Sequence, residues 1–216
     1  MLLGLAAAAV GAARAESLPL IRTNQNHHPA GELHNGVLTL QLEVGKGIWH
    51  PDREDGAALP MYAFGQTGQA LQNPGPLIRV PQGTAIHVSV HNSLPVPISV
   101  YGLAEPGAGD HQALHLAPGA TQSATFKART PGVYFYWGAT NATELTTRRG
   151  VDSQLNGAIV VDPPGRNLKD EIFVISVRAN GPPAVASEIL ATINGKSWPY
   201  TPRFQYAIGE PVRWRW

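Results

Sequence analysis

The sequence predicts an all-β protein, a Greek-key sandwich or barrel of roughly eight short strands. Three observations carry this expectation. Apolar residues recur at every second position in several short stretches, the period of a half-buried strand. The 23 glycines and 19 prolines punctuate the 216 residues at short intervals as turn signals. No segment carries the 3.6-residue period of a long amphipathic helix.

Taken in order, Leu38, Leu40, Leu42 and Val44 alternate with Thr39, Gln41 and Glu43, so residues 37–44 form a strand with one face in the core. Residues 45–60 read as a loop bearing Trp49-His50-Pro51 and the acids Asp52, Glu54 and Asp55, and residues 61–66 as a short strand. The turns Asn73-Pro74-Gly75-Pro76 and Pro81-Gln82-Gly83 flank Leu77-Ile78-Arg79-Val80. In residues 84–92, Ile86, Val88 and Val90 point inward and His87, Ser89 and His91 share the wetter face. Residues 95–103 form another strand. Leu116-Ala117-Pro118-Gly119 turns the chain into a strand at 121–128.

Residues 132–139 place Val133, Phe135 and Trp137 on one face and Tyr134 and Tyr136 on the other, so a strand covered on both sides is expected. A strand at 157–161 ends at Asp162-Pro163-Pro164-Gly165, a break that marks a domain boundary. The expected organisation is an extended arm at 16–35, a first domain at 36–165 and the start of a second β domain at 166–216. In that last part residues 171–178 are apolar on both faces and Ile193-Asn194-Gly195-Lys196 forms a turn. Val212, Trp214 and Trp216 alternate with Arg213 and Arg215. A strand with two inward tryptophans that ends before any turn implies an incomplete second domain, and hence a fragment.

A net charge of +1 and scattered basic residues, paired only at Arg148-Arg149 and Arg213/Arg215, argue against a nucleic-acid partner. The absence of cysteine removes disulfides, thiolate catalysis and any copper site needing a sulfur from this chain. The apolar run from Leu2 to Val10 followed by Ala13-Arg14-Ala15 reads as a signal peptide at 1–15, so export to the periplasm or cell exterior is expected. The run is too short for the ~20 residues of a membrane span.

The series Asn73-Pro74-Gly75-Pro76-Leu77-Ile78-Arg79-Val80-Pro81-Gln82-Gly83, His91-Asn92-Ser93-Leu94-Pro95, Ser99-Val100-Tyr101-Gly102-Leu103, Pro118-Gly119, residues 132–137 and Gln154-Leu155-Asn156-Gly157-Ala158-Ile159-Val160-Val161 resembles the N-terminal plastocyanin-like domain of multicopper oxidases. Ile193-Asn194-Gly195-Lys196-Ser197-Trp198-Pro199 and Gly209-Glu210-Pro211-Val212-Arg213-Trp214-Arg215 resemble the opening of that family's second domain. The resemblance implies a cupredoxin-like fold. It also implies laccase-like oxidoreductase chemistry, in which copper couples substrate oxidation to O2 reduction. Family members hold a three-copper cluster with His-X-His pairs, two of them from the first domain. Residues i and i+2 of a strand share a face, so each pair directs two imidazoles at one site.

Here the two pairs fall on Ser99 and Tyr101, and on Trp137 and Ala139. The expectation is therefore no catalytic residue and no copper in this segment, with copper reserved for further cupredoxin domains of the same protein, which would be its partners. The segment alone is expected to be inactive, a scaffold whose former ligand site is filled by Trp137. A site built from tyrosine hydroxyls is the competing reading at these positions. A copper-free module that uses the sandwich for protein interaction is the competing function.

The eight histidines all precede Leu116, and each reads as solvated rather than metal-bound. His87 and His91 share a face but lie ~13 Å apart along the strand. His111 and His115 would meet only on a helix, and His27, His28 and His34 sit in the polar stretch before residue 36. His50, near Asp52 and Glu54, keeps the best case for weak metal binding. Gly195-Lys196-Ser197 lacks the glycine and helix of a phosphate loop. Asn141-Ala142-Thr143 is a glycosylation sequon.

Overall fold

The structure, a computed structural model, describes residues 17–105, 112–141, 144–145, 148–165, 170–179 and 189–216. The expected signal peptide, His111, and residues 142 and 143 of the sequon lie outside them. Period-2 stretches become strands of two facing sheets. The first runs β1 (Arg22–Thr23), β5 (Gln72–Asn73), β4 (Leu59–Gln66), β3 (Val37–Trp49), β7 (Ala85–Asn92), β10 (Thr121–Lys127), with β2 (Glu32–His34) also paired to β3. The second runs β6 (Ile78–Pro81), β12 (Asn156–Asp162), β11 (Gly132–Ala139), β8 (Ile98–Tyr101), β9 (Leu114–Leu116). Leu38, Leu40, Leu42 and Val44 of β3 with Ile86, Val88 and Val90 of β7 meet Ile78, Val80, Val100, Ile159 and Val161 across the sandwich in one buried cluster. This is the cupredoxin-like sandwich expected from the sequence.

The expected loop at 45–60 starts later, because β3 continues to Trp49. Burial changes face at Val44 and Gly45, which are both buried. Beyond that point Trp49 packs with Ile21, Met61, Ala63 and Leu71 in a second cluster. A Cβ on Gly47 would lie 2.7 Å from Ile21 Cγ1, and one on Gly45 3.2 Å from Leu71 Cδ1. These glycines let neighbouring segments close onto the strand, although in the sequence they look like breakers.

β11 is the centre of the second sheet, antiparallel to both β12 and β8. On its inner face Tyr136 is fully buried, edge-on to Phe64 with ring centroids 5.0 Å apart. Its hydroxyl donates to Pro76 O at 2.7 Å, and burial pushes the phenol well above its ordinary range. Tyr136→Phe removes that donor from a buried carbonyl, and urea denaturation should show a loss of about 1–2 kcal/mol. The outer face corrects the expectation of a strand covered on both sides: Val133 and Phe135 are 37% and 51% exposed. Leu77 and Ile172 pack over Ala158 and Val160 of the adjacent β12, and this cover does not reach Val133 and Phe135.

The apolar stretch at 171–178 is broken into β13 (Glu171–Ile172) and β14 (Ile175–Ala179), paired respectively with β16 (Trp214–Arg215) and β15 (Ile189–Ile193). Between them Val174 N donates to Asn194 Oδ1 at 2.8 Å. The segment is fastened to the sandwich by buried and half-buried polar contacts. Trp49 Nε1 donates to Gly195 O at 2.8 Å, Lys196 Nζ donates to His50 O at 2.9 Å and Asp52 O at 2.7 Å, and Ser197 Oγ bonds the Asp52 carboxylate. Burial lowers the Lys196 pKa, against the opposing pull of Glu54 and Asp52. Gly195-Lys196-Ser197 is thus a structural clasp.

The final strand is oriented opposite to the expectation. Arg215 turns inward and Trp214 and Trp216 are 56% and 78% exposed. The Asp162 and Asp170 carboxylates beneath β16 take the guanidinium. Alternation alone gave no means of choosing which face turned in.

Candidate functional site at β8 and β11

The antiparallel register of β8 and β11 sets Tyr101 opposite Trp137 and Ser99 opposite Ala139. Residues i and i+2 share a face and directly opposed Cβ atoms lie ~4.5–5.5 Å apart, so all four side chains converge on one patch of the outer sheet face. Tyr101 and Trp137 stack, with ring centroids 4.2 Å apart and planes at 16°. Trp137 and Ala139 are buried, while Ser99 and Tyr101 are half-buried.

Arg148 completes the patch, and the sequence reading missed this role, having noted only an Arg148-Arg149 pair. Its Cζ lies 5.0 Å from the Trp137 ring centroid, over the ring. Its Nη1 donates to Gly138 O at 2.9 Å and Leu155 O at 3.3 Å, and also bonds Asp152 O. Two protons on one nitrogen are thereby shared among three carbonyls, one near the end of β11 and two in the chain just before β12. The residue is 8% exposed, and Nε is buried without a hydrogen-bond partner. Burial lowers the guanidinium pKa to about 10, opposed by the Asp152 charge, so the group remains a cation at neutral pH. Asp152 is held in turn by Thr140, whose N and Oγ1 donate to Oδ2 at 3.0 and 3.2 Å.

Gly102, next to Tyr101, has φ +80°, and a Cβ there would lie 2.2 Å from Phe135 O. The two strands meet this closely because position 102 has no side chain. Beside the patch a cavity of 690 Å³ is lined by Val133, Phe135, Arg148, Asn156, Ile175 and Val177, among others.

Of the histidines, only His115 is seen at the patch among the described residues, its Nδ1 sharing a 2.8 Å hydrogen bond with Ser99 Oγ. His91 Nδ1 pairs with Thr121 Oγ1 at 2.9 Å, and His27 lies 3.6 Å from Glu171. His50 does not gather acids around it: the Asp52 carboxylate is engaged by Ser197, and Lys196 stands beside the loop. Among the described residues no three His, Cys, Asp or Glu side chains come together in a group that could hold a metal ion.

The donor set at the four positions does not fit copper. Indole nitrogen and a methyl group offer no lone pair, and a hydroxyl, a phenol and one imidazole stand beside a fixed guanidinium. Tyr101 and Trp137 occupy each other's faces instead of opening onto an ion.

The fold is that of a cupredoxin-like domain, with this patch on the outer face of its second sheet. Residues 66–166 match the family model of multicopper oxidases. A probable nitrite reductase-hydroxylamine oxidoreductase fusion protein from Kuenenia stuttgartiensis is 29% identical over 157 residues, covering 67% of this chain and 18% of that protein. A blue copper oxidase from Nitrosomonas europaea superposes with TM-score 0.62 at 23% identity, covering 82% of this chain and 59% of its own. The copper nitrite reductase of the same organism gives TM-score 0.56 at 20% identity, covering 74% of this chain and 57% of its own. The chain thus spans less than two thirds of the length of these relatives. No helix among the described residues is long and apolar enough to cross a membrane.

Proposed function

We propose that this chain is a copper-free scaffold domain of an exported multicopper-oxidase-like protein. The observation that carries the reading is the Tyr101–Trp137 stack with Arg148 over Trp137, which fills two of the four positions where the family places imidazoles, the other two being Ser99 and Ala139. A packed aromatic pair under a bonded cation is core structure. Oxidation coupled to O2, if the complete protein performs it, then belongs to further cupredoxin domains that bring their own copper. Those domains are also the partners for the apolar residues around the cavity, since Val133, Phe135, Ile175 and Val177 are exposed on this chain.

Copper loading of the purified chain tests the reading. After incubation with Cu(II) and gel filtration, elemental analysis should find copper at a small fraction of one equivalent. One tightly held equivalent would overturn the proposal.

A further inference from the structure

We propose that Arg148 is a resident cation that excludes metal from the outer face of β8 and β11, so that imidazoles restored at positions 99, 101, 137 and 139 would not bind copper while it remains. The inference rests on the scaffold reading and adds to it the residue that enforces it. An ion held by side chains at 137 and 139 would have to share the space beside β11 with a guanidinium that lies over the ring at 137 and bonds the carbonyl of Gly138, the residue between them.

The guanidinium cannot withdraw cheaply. Swinging it out would strip the carbonyls of Gly138, Asp152 and Leu155 of a shared donor in a buried place. A unit positive charge this close to a divalent ion repels it, and the expected loss of affinity is at least a hundredfold. Loss of the ligands and presence of the arginine are on this view one coupled replacement: the protein cation takes over the positive charge, and its three carbonyl contacts the cross-linking, that a metal would contribute.

The test compares two chains, both carrying Ser99→His, Tyr101→His, Trp137→His and Ala139→His, one with Arg148 retained and one with Arg148→Gln. Far-UV circular dichroism first establishes that each is folded, and Cu(II) is then titrated against a competing chelator. The chain with glutamine should bind copper at least a hundredfold more tightly than the chain with arginine. An Arg148→Lys version, which keeps the charge and loses the fork of donors, should bind as poorly as the arginine form. Equal affinities with arginine and glutamine, or no binding by either, would overturn the proposal. If the four-histidine chain does not fold, Tyr101→His with Trp137→His, at directly opposed positions, is judged by the same ratio. Copper taken up by the unmodified chain is a failure of the scaffold reading, and the loading experiment records it separately.

Discussion

Asp170→Ala should lower the stability of this chain by about 3–5 kcal/mol, because it leaves two buried guanidiniums facing a single carboxylate. Arg79 binds Asp162 through Nε at 2.7 Å and Nη2 at 3.2 Å, and Arg215 Nη2 reaches the same Asp162 at 3.1 Å. Asp170 closes the ring of alternating charges. Arg215 Nε bonds its Oδ2, and Arg79 Nη1 lies 2.8 Å from its Oδ1. The Asp170 side chain is fully buried, and the other three are 11–19% exposed. Hydrogen bonding to Asp162 raises the Arg79 pKa against the cost of burial. A cation whose folded pKa is raised keeps its stabilising effect below its unfolded pKa, so Arg79 adds no pH dependence near neutrality.

Urea unfolding of Asp170→Ala, alone and with Arg215→Met, gives the coupling. The double variant should be more stable than the sum of the single losses predicts, by about 1–3 kcal/mol. High salt should leave the loss nearly unchanged, since buried pairs are weakly screened. A loss under about 1 kcal/mol, or strict additivity, would mean the four charges do not act as a unit.

That network also shows what a sequence yields and withholds. Leu38 to Val44 and Ile86 to Val90 were legible because one face is buried and the other wet, and this imprints period 2 on the residues. The second half of β3 was not, because Gly45 and Gly47 are required by segments packed against them, and that contact leaves no local pattern. Arg215 and its tryptophan neighbours alternate equally well in either orientation. The choice depends on Asp162 and Asp170, 53 and 45 residues away in the chain. At the candidate site, family resemblance located Ser99, Tyr101, Trp137 and Ala139, and the sheet register brings them together. Arg148 stayed hidden because its partners are mostly backbone carbonyls, which carry no residue identity to read.

Gly102→Ala should be the most damaging small substitution at the site, at about 3–4 kcal/mol or more, and its cause can be separated from ordinary glycine effects. Two costs combine at this position. A left-handed backbone at φ +80° costs a non-glycine residue roughly 1–2 kcal/mol. The added Cβ would also lie 2.2 Å from Phe135 O and 2.9 Å from Tyr136 Cα, backbone atoms of the central strand that cannot rotate aside. Relief requires β8 to move away from β11, and that shift opens the Tyr101–Trp137 stack at the adjacent residue pair. Gly119→Ala is the control: its φ is +72° and nothing lies within 4 Å of the new methyl, so only the backbone penalty applies, about 1 kcal/mol. Urea denaturation of the two variants should therefore differ by about 2 kcal/mol or more, with loss of near-ultraviolet dichroism from the aromatic stack in Gly102→Ala alone. Equal losses would mean that β8 and β11 tolerate separation at position 102, and that the register joining the four replaced positions is not held by this contact.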